Sequence, residues 1–159
     1  MTHLQNRRVL IVDDESDLTE ALAIRLSSGW GFTVAVAHDG EEGLRKASAF
    51  RPDMILLDIA MPHVDGWEMC RRLRDDPETR AIPIVIMTAW STDDLHKRAQ
   101  EEGVTKVLLK PADDDELLSV LRSTAGTTRP PEAVASGNVR GPERRRSQRR
   151  RGDARRRHR

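Results

Sequence analysis

The sequence predicts an α/β fold in which five strand–helix units, (βα)5, form a doubly wound parallel sheet within a three-layer sandwich. Segments typical of strands and of helices alternate five times in the first 124 of the 159 residues. Most strand candidates are unbroken apolar runs, as is typical of strands buried on both faces of a parallel sheet. Right-handed helical crossovers would cover both faces of such a sheet. We expect the strand order 2-1-3-4-5, one of the common doubly wound orders.

The first half of the chain contains two complete units and a third strand. Ser16 is a candidate N-cap for helix one, whose leucines recur at helical spacing until the glycines at 29 and 31 break the helix. Arg51 precedes a proline and therefore disfavours helical angles, which ends helix two. The predicted elements are strand one at 8–13, helix one from Ser16 through Leu26, strand two at 32–37, helix two from Asp39 and Gly40 to about Phe50, and strand three at 54–57.

The second half repeats this alternation after a loop at 59–65. Pro77 and Pro83 bracket the approach to strand four, and Gly103 is a candidate C-cap for helix four. The predicted elements are helix three from Gly66 to about Arg74, strand four at 84–87, helix four from about Thr92 to Glu102, strand five ending at Lys110, and helix five from Asp113 to about Ser123. We therefore expect one folded domain at 1–124.

Charge divides the chain into two segments. Residues 1–124 contain 15 basic and 23 acidic residues, a net charge of −8, whereas residues 125–159 contain 12 arginines and 3 acidic residues, a net charge of +9. The second segment has few apolar groups to bury, so we expect a disordered Arg-rich tail. It would bind nucleic acid or an anionic surface without sequence preference, lie against its own acidic domain, or have no selected role.

The composition also bears on the compartment. No apolar stretch approaches the roughly 18 residues that a membrane span needs. Residues 1–8 are polar and do not resemble a signal peptide. Cys70 is the single cysteine and cannot form an internal disulfide. We therefore expect a cytoplasmic protein in which Cys70 is an inert thiol packed against the core.

Three carboxylates are predicted to meet at one edge of the sheet. Asp13 and Asp14 follow strand one, and Asp58 follows strand three. In the predicted strand order these strands are neighbours, and their carboxyl ends border the crevice where open α/β sheets bind ligands. Three carboxylates repel one another unless a cation intervenes, and Mg²⁺ suits such oxygen ligands. Taken alone, the Asp13–Asp14 pair would equally fit the start of helix one, but the third carboxylate favours a metal site.

The residues that end strands three, four and five are suited to phosphoryl chemistry. Asp58 is the predicted nucleophile, because a carboxylate can attack a phosphoryl group to give an aspartyl phosphate. Thr88 can donate a hydrogen bond to a phosphoryl oxygen, and Lys110 supplies a compact positive charge. Each residue is unremarkable alone, so the prediction rests on the set.

Together these motifs resemble the receiver domain of two-component response regulators, over about residues 7–123. The resemblance rests on residues 9–14, residues 58–62 with Asp65 and Gly66, the pair Thr88–Ala89, and the pair Lys110–Pro111. Intervals of 45, 30 and 22 residues separate Asp13, Asp58, Thr88 and Lys110. The resemblance also implies a cis peptide bond between Lys110 and Pro111.

The resemblance implies a set of ligands and partners. Mg²⁺ would be held by Asp14, Asp58 and the backbone carbonyl of Ala60, with Asp13 acting through water. A sensor histidine kinase or a histidine phosphotransfer protein would phosphorylate Asp58. With no output domain expected after the receiver, the signal would pass by phosphorylation-dependent docking on a downstream protein whose identity the sequence does not reveal.

Four positions bear on how this receiver would differ from others. Val107 stands where receivers often carry an aromatic switch residue, and Ala112 stands where a phenylalanine often follows the Lys-Pro pair. Ala60 and Trp90 occupy positions that influence the lifetime of the phosphate in the family. Shielding of an acyl phosphate by the ring of Trp90 predicts slow self-hydrolysis, and the alternative is that Trp90 is an exposed or partner-facing aromatic.

Three functions stay open on the sequence alone. The first is a phosphoacceptor signalling protein, which is not an enzyme beyond assisting its own phosphorylation and dephosphorylation. The second is a nucleic-acid-binding protein that uses the Arg-rich tail and keeps the receiver as a scaffold, which the intact acidic and basic set argues against. The third is an Mg²⁺-dependent phosphatase, although no second acid beside Asp58 is placed to activate water.

Overall fold

In the computed structural model, which describes residues 6–61 and 63–125, five parallel strands alternate with five helices. The strands are β1 (Arg8–Val12), β2 (Thr33–Ala37), β3 (Met54–Leu57), β4 (Ile84–Thr88) and β5 (Lys106–Leu109). The helices are α1 (Ser16–Ile24), α2 (Gly40–Phe50), α3 (Gly66–Asp75), α4 (Asp93–Glu101) and α5 (Asp114–Ala125). The predicted α/β class and alternation are confirmed.

The strands lie in the order β2-β1-β3-β4-β5, as predicted. Val9 of β1 is paired in register with Val34 of β2 on one side and with Met54 of β3 on the other. The connections that leave β1 and β3 therefore run in opposite directions, which opens a crevice at their carboxyl ends.

The core has two layers, one on each face of the sheet. Leu10 and Val12 of β1 pack in the layer that contains residues of α2, α3 and α4. Val9 and Ile11, which alternate with them, pack in the layer that contains residues of α5 and Leu26. Burial on both faces explains why the strands are continuous apolar runs rather than alternating ones.

Side chains close the first turns of three helices. Asp39 accepts a hydrogen bond from the Glu42 N–H (2.8 Å) before α2, Asp65 caps α3 in the same way, and Thr92 caps α4. At the other end of α4, Gly103 has a φ of 73°, a left-handed conformation that glycine adopts without strain. Gly103 is the cap that the sequence predicted for α4.

The start and the end of α1 differ from the prediction. Ser16 is the first helical residue, Glu15 holds the N-cap position, and no side chain caps the helix there. Asp13 instead closes the preceding turn by accepting the Glu15 N–H (3.0 Å). Beyond Ile24 the helix continues as a π-helical turn, Arg25–Gly29, which periodic leucines do not reveal.

Helix α5 ends at Ala125, slightly beyond the predicted end at about Ser123. The remainder of the predicted tail lies outside the described residues, so its predicted disorder and its predicted binding of nucleic acid or anionic surfaces stay predictions. Within 6–61 and 63–125, none of the helices combines the length and the apolar character that crossing a membrane requires.

Candidate functional site

The three predicted carboxylates come together at the carboxyl edge of the sheet. Asp13 and Asp14 follow β1 directly, and Asp58 follows β3. One carboxylate oxygen from each of the three lies within 4.8 Å of the others. Asp13 and Asp58 are buried, with 7% and 8% of their surfaces exposed, whereas Asp14 is exposed. The crevice predicted from strand order therefore holds an acidic cluster.

Lys110 reaches this cluster from the end of β5. Its Nζ lies 2.6 Å from Asp13 Oδ2 and 3.4 Å from Asp58 Oδ2. Its backbone N–H donates to the carbonyl of Thr88 (2.7 Å), which extends the ladder between β4 and β5 by one bond. The Lys110–Pro111 peptide bond is cis, as the resemblance implied. The ammonium is thus held between the two buried carboxylates.

Thr88 ends β4 with only 2% of its surface exposed. Its Oγ1 accepts a hydrogen bond from the Trp90 N–H (3.2 Å), which leaves the hydroxyl proton able to donate. The ring of Trp90, by contrast, belongs to a residue that is 76% exposed. Protection of a phosphoryl group by this ring therefore stays a prediction about another state of the molecule.

Both buried carboxylates are oriented in the same manner. Asp58 Oδ1 accepts the Ala60 N–H (3.0 Å), as Asp13 Oδ1 accepts the Glu15 N–H. In each case the second oxygen is the one that faces Lys110. In each case the backbone N–H of the residue two positions later in the chain orients the carboxylate. The pattern of side chains in the sequence does not indicate this role of the backbone.

Burial dominates the electrostatics of the site. Burial raises the pKa of Asp58, the Ala60 N–H and the charge of Lys110 oppose that rise, and the charge of Asp13 adds to it. Burial acts to lower the pKa of Lys110, but its hydrogen bond to Asp13 and the charges of both carboxylates outweigh burial and raise it. Lys110 therefore remains an ammonium at neutral pH.

The donor set fits a hard divalent cation. Three carboxylates supply oxygen ligands, and Lys110 offsets only one of their negative charges. Mg²⁺ typically takes one or two carboxylates and completes its shell with water and phosphate oxygens. An exposed Asp14 beside a buried Asp58 suits such a partly hydrated ion. The carbonyl of Ala60 as a further ligand stays a prediction.

Two glycines hold the loop that follows Asp58 close to the rest of the domain. A Cβ on Gly66 would lie 2.5 Å from Ile59 Cα, and a Cβ on Gly40 would lie 2.5 Å from the carbonyl oxygen of Val64. Real side chains do not fit such distances without movement of the backbone. The sequence marked both glycines only as helix starts, whereas the structure shows that they also set the position of this loop.

The chain shares its sequence pattern with known signalling proteins. Residues 9–122 match the family described as the response regulator receiver domain. The chain is 40% identical to the response regulator PleD of Caulobacter vibrioides over 116 residues, which are 73% of this chain and 25% of PleD. It is 36% identical to the response regulator MprA of Mycobacterium tuberculosis over 133 residues, 84% of this chain and 56% of MprA. The chain thus spans a quarter to about half of these relatives.

Solved structures share the fold. The chemotaxis protein CheY4 of Vibrio cholerae superposes with a TM-score of 0.71 at 29% identity, covering 75% of this chain and 98% of CheY4. The receiver domain of the sensor histidine kinase PA1611 from Pseudomonas aeruginosa gives a TM-score of 0.69 at 26% identity, covering 77% of this chain and 99% of that domain. The latter structure is described with a magnesium ion coordinated in its active-site cleft.

Proposed function

Because the chain belongs to the response regulator receiver domain family, we propose that it accepts a phosphoryl group on Asp58 and signals in that form. The observation that carries this proposal is the position of Asp58, which is buried at the end of β3 close to the Asp13–Asp14 pair and to the Lys110 ammonium. We assign this role to residues 1–124 and treat 125–159 as a separate Arg-rich segment.

The proposed donor is a phosphohistidine on a sensor histidine kinase or a histidine phosphotransfer protein. A carboxylate oxygen of Asp58 forms a bond to phosphorus while the phosphorus–nitrogen bond of the donor breaks. The leaving imidazole keeps that electron pair and takes up a proton from water. The hydroxyl of Thr88 donates a hydrogen bond to one phosphoryl oxygen, and the ammonium of Lys110 pairs with another.

Asp14, Asp58 and the carbonyl of Ala60 are the proposed ligands of Mg²⁺, and Asp13 is proposed to contribute through water. When bound, the ion offsets the negative charge of the carboxylates and of the incoming phosphoryl oxygens. The geometry of the acidic cluster and the magnesium described in the PA1611 receiver support this assignment.

The signal would leave the site through Thr88 and Lys110. A phosphoryl group adds roughly −1.5 to −2 charges and three acceptor oxygens, for which both residues are suitable partners. The Trp90 N–H donates a hydrogen bond to Thr88 Oγ1, so a movement of Thr88 would also move Trp90 and the loop before α4. A shift of population toward that arrangement would expose or remodel a face for a downstream protein.

This proposal makes the protein a phosphoacceptor rather than an enzyme that turns over a separate substrate. The alternative, in which the Arg-rich tail binds nucleic acid and the receiver is a scaffold, gains no support from the described residues. Binding of polyanions by 125–159 stays a prediction from charge alone.

Intact-protein mass spectrometry tests the proposal directly. The full chain is incubated with Mg²⁺ and acetyl phosphate, alongside Asp58→Asn and the matched control Asp94→Asn, which alters an exposed carboxylate on α4. We expect one added phosphoryl group in the wild type and in Asp94→Asn, and none in Asp58→Asn or in the presence of EDTA. A folded wild-type protein that gains no phosphoryl group with saturating Mg²⁺ contradicts the proposal.

A further inference from the structure

Asp14 is the carboxylate of the proposed metal site that receives the least support from its neighbours. Asp13 and Asp58 are each oriented by a backbone N–H and paired with Lys110. In the part of the chain that the structure describes, the exposed carboxylate of Asp14 has no hydrogen bond and no ion pair. Its direction therefore depends on the backbone from which the side chain projects.

The peptide group between Asp13 and Asp14 lies where the ladder between β1 and β2 ends. The last regular bond runs from the Asp13 N–H to the carbonyl of Ala37 (3.0 Å). If the parallel ladder continued, the Asp13 carbonyl would next accept the N–H of Asp39. Asp39 instead forms the N-cap of α2, and the described backbone bonds include none from its N–H to Asp13. The ladder thus leaves this carbonyl without its regular donor.

The side chain of His38 takes the place of that donor. Its Nδ1 lies 3.3 Å from the carbonyl oxygen of Asp13. A carbonyl oxygen only accepts hydrogen bonds, so Nδ1 is the nitrogen that carries the proton in this contact. Because a peptide group is planar, a bond that holds the Asp13 carbonyl also holds the backbone nitrogen of Asp14. The imidazole therefore bears on the direction in which the Asp14 side chain leaves the chain.

The backbone of His38 is anchored on its other side. Its N–H donates to Glu42 Oε2 (3.0 Å), and Lys46 forms an ion pair with the same carboxylate (2.9 Å). The His38 N–H and the hydrogen bond from Lys46 lower the pKa of Glu42, which keeps the carboxylate ionised at neutral pH. Although His38 is exposed as a whole, the first turn of α2 thus fixes the point from which its ring reaches Asp13.

We infer that His38 is a positioning residue, whose imidazole holds the Asp13–Asp14 peptide so that Asp14 faces the proposed Mg²⁺ site. The inference rests on the proposed function and deepens it, because His38 acts through the backbone and does not itself touch the ion. Without the imidazole donor the peptide rotates more freely, and Asp14 spends less time in the direction that binds metal. Groups that orient metal ligands contribute to affinity in this way.

Two variants separate the hydrogen bond from the shape of the side chain. His38→Leu removes the donor, whereas His38→Asn keeps one, since Asn Nδ2 is as many bonds from Cα as His Nδ1. The matched control is His96→Leu, which removes an exposed imidazole from α4. In calorimetric titrations of the full, unphosphorylated chain with Mg²⁺, we expect His38→Leu to bind about fivefold more weakly, as suits the loss of one hydrogen bond. His38→Asn should bind within about twofold of the wild type, and the control should equal it.

NMR of the metal-free protein provides a readout that involves neither Mg²⁺ nor phosphate. At pH 8, where an imidazole is normally neutral, the ¹⁵N signals of His38 should show Nδ1 as the protonated nitrogen. The backbone amide signal of Asp14 should shift in His38→Leu and stay in place in the His96→Leu control.

Phosphorylation by acetyl phosphate gives a third readout. We expect His38→Leu to react more slowly than the wild type at limiting Mg²⁺ and equally fast at saturating Mg²⁺. A merely structural role of the imidazole predicts no such dependence on the metal concentration.

Equal Mg²⁺ affinity of His38→Leu and the wild type would overturn the inference and leave the proposed metal site intact. So would a proton on Nε2 instead of Nδ1 in the wild type, or affinity in His38→Asn as weak as in His38→Leu. A wild type that binds no Mg²⁺ would overturn both the proposed metal site and the inference.

Discussion

The ammonium of Lys110 is paired more closely with Asp13, at 2.6 Å, than with Asp58, at 3.4 Å. The residue proposed to receive the phosphoryl group is thus the weaker partner of the lysine before reaction. Since Asp13 belongs to the proposed metal site, the lysine and a divalent ion act on the same carboxylate. Phosphorylation of Asp58 would give Lys110 a partner with more charge than either aspartate.

Removal of this ammonium should strengthen Mg²⁺ binding. In Lys110→Met the three carboxylates lose their only compensating charge within the cluster, so the site attracts a divalent ion more strongly. We expect the Mg²⁺ dissociation constant to fall about tenfold in calorimetric titrations, a size typical of partly solvated charges. Lys106→Met, at an exposed position of β5, is the control and should leave it unchanged. Equal or weaker binding by Lys110→Met would contradict the competition described above.

The raised pKa of Asp58 makes stability depend on pH in a defined direction. The folded state disfavours the ionised carboxyl, so this group destabilises the metal-free protein above its folded pKa and ceases to do so below its unfolded pKa of about 3.8. We expect Asp58→Asn to be more stable than the wild type at pH 7 in EDTA. The difference should close as the pH falls through the folded pKa of Asp58. Urea unfolding at both ends of this window measures it, and a wild type that is the more stable protein at pH 7 would refute the assignment.

The lifetime of the phosphorylated form should depend on the Trp90 ring. If the loop before α4 closes over the phosphoryl group, the ring excludes the water that hydrolyses it. We expect Trp90→Ala to shorten the half-life of phospho-Asp58 about threefold, given that water must still be activated by the same site. Loss of the added mass over time measures the half-life. An unchanged or longer half-life would rule out shielding and agree with the exposed position of the ring.

Cys70 should be inert in the folded protein. The residue is fully buried in α3, and burial raises its thiol pKa to about 12. At pH 8 the thiolate is then about one part in ten thousand, and only the thiolate reacts. We expect no reaction with Ellman's reagent in buffer and one thiol per chain in denaturant. Rapid labelling of the native protein would show that the core around α3 opens readily.

His63 should be a site where a simple substitution stabilises the protein. Its φ of 66° lies in the left-handed region, which costs a residue with a Cβ roughly 1–2 kcal/mol. After allowance for the greater freedom of glycine in the unfolded chain, we expect His63→Gly to raise the free energy of unfolding by about 0.5 kcal/mol. The reciprocal variant Gly103→Ala, at a φ of 73°, should lower it by about 1 kcal/mol. Urea denaturation curves that moved in the opposite directions would contradict this reading of the two turns.

The fold was predictable because its signals are local and repeated. Continuous apolar strands, the capping residues Asp39 and Thr92, and Gly103 after α4 each indicate one element independently of the others. The order of the strands was expected because it is one of the common orders of doubly wound sheets. The cluster at the sheet edge then followed from the order, since Asp13 and Asp58 end neighbouring strands.

The details that escaped prediction depend on backbone groups and on packing. Asp13 uses a carboxylate oxygen to close the turn at Glu15, and α1 begins at Ser16 without a side-chain cap. The π-helical turn that begins at Arg25 has no periodic signature, and neither has the ion pair between Arg25 and Asp114 (3.1 Å).

Asp13 and Lys110 are 97 positions apart in the chain, yet their side chains make the shortest ion pair of the site. Once β1, β3 and the residues that follow them have been synthesised, all three carboxylates are present in the chain. The ammonium of Lys110 is added only after β5. Fragments cut between β4 and β5 should therefore be incompetent as acceptors separately, and should regain that capacity only when the two pieces reassemble. The ability of this protein to accept a phosphoryl group would thus show that the chain has been synthesised beyond β5.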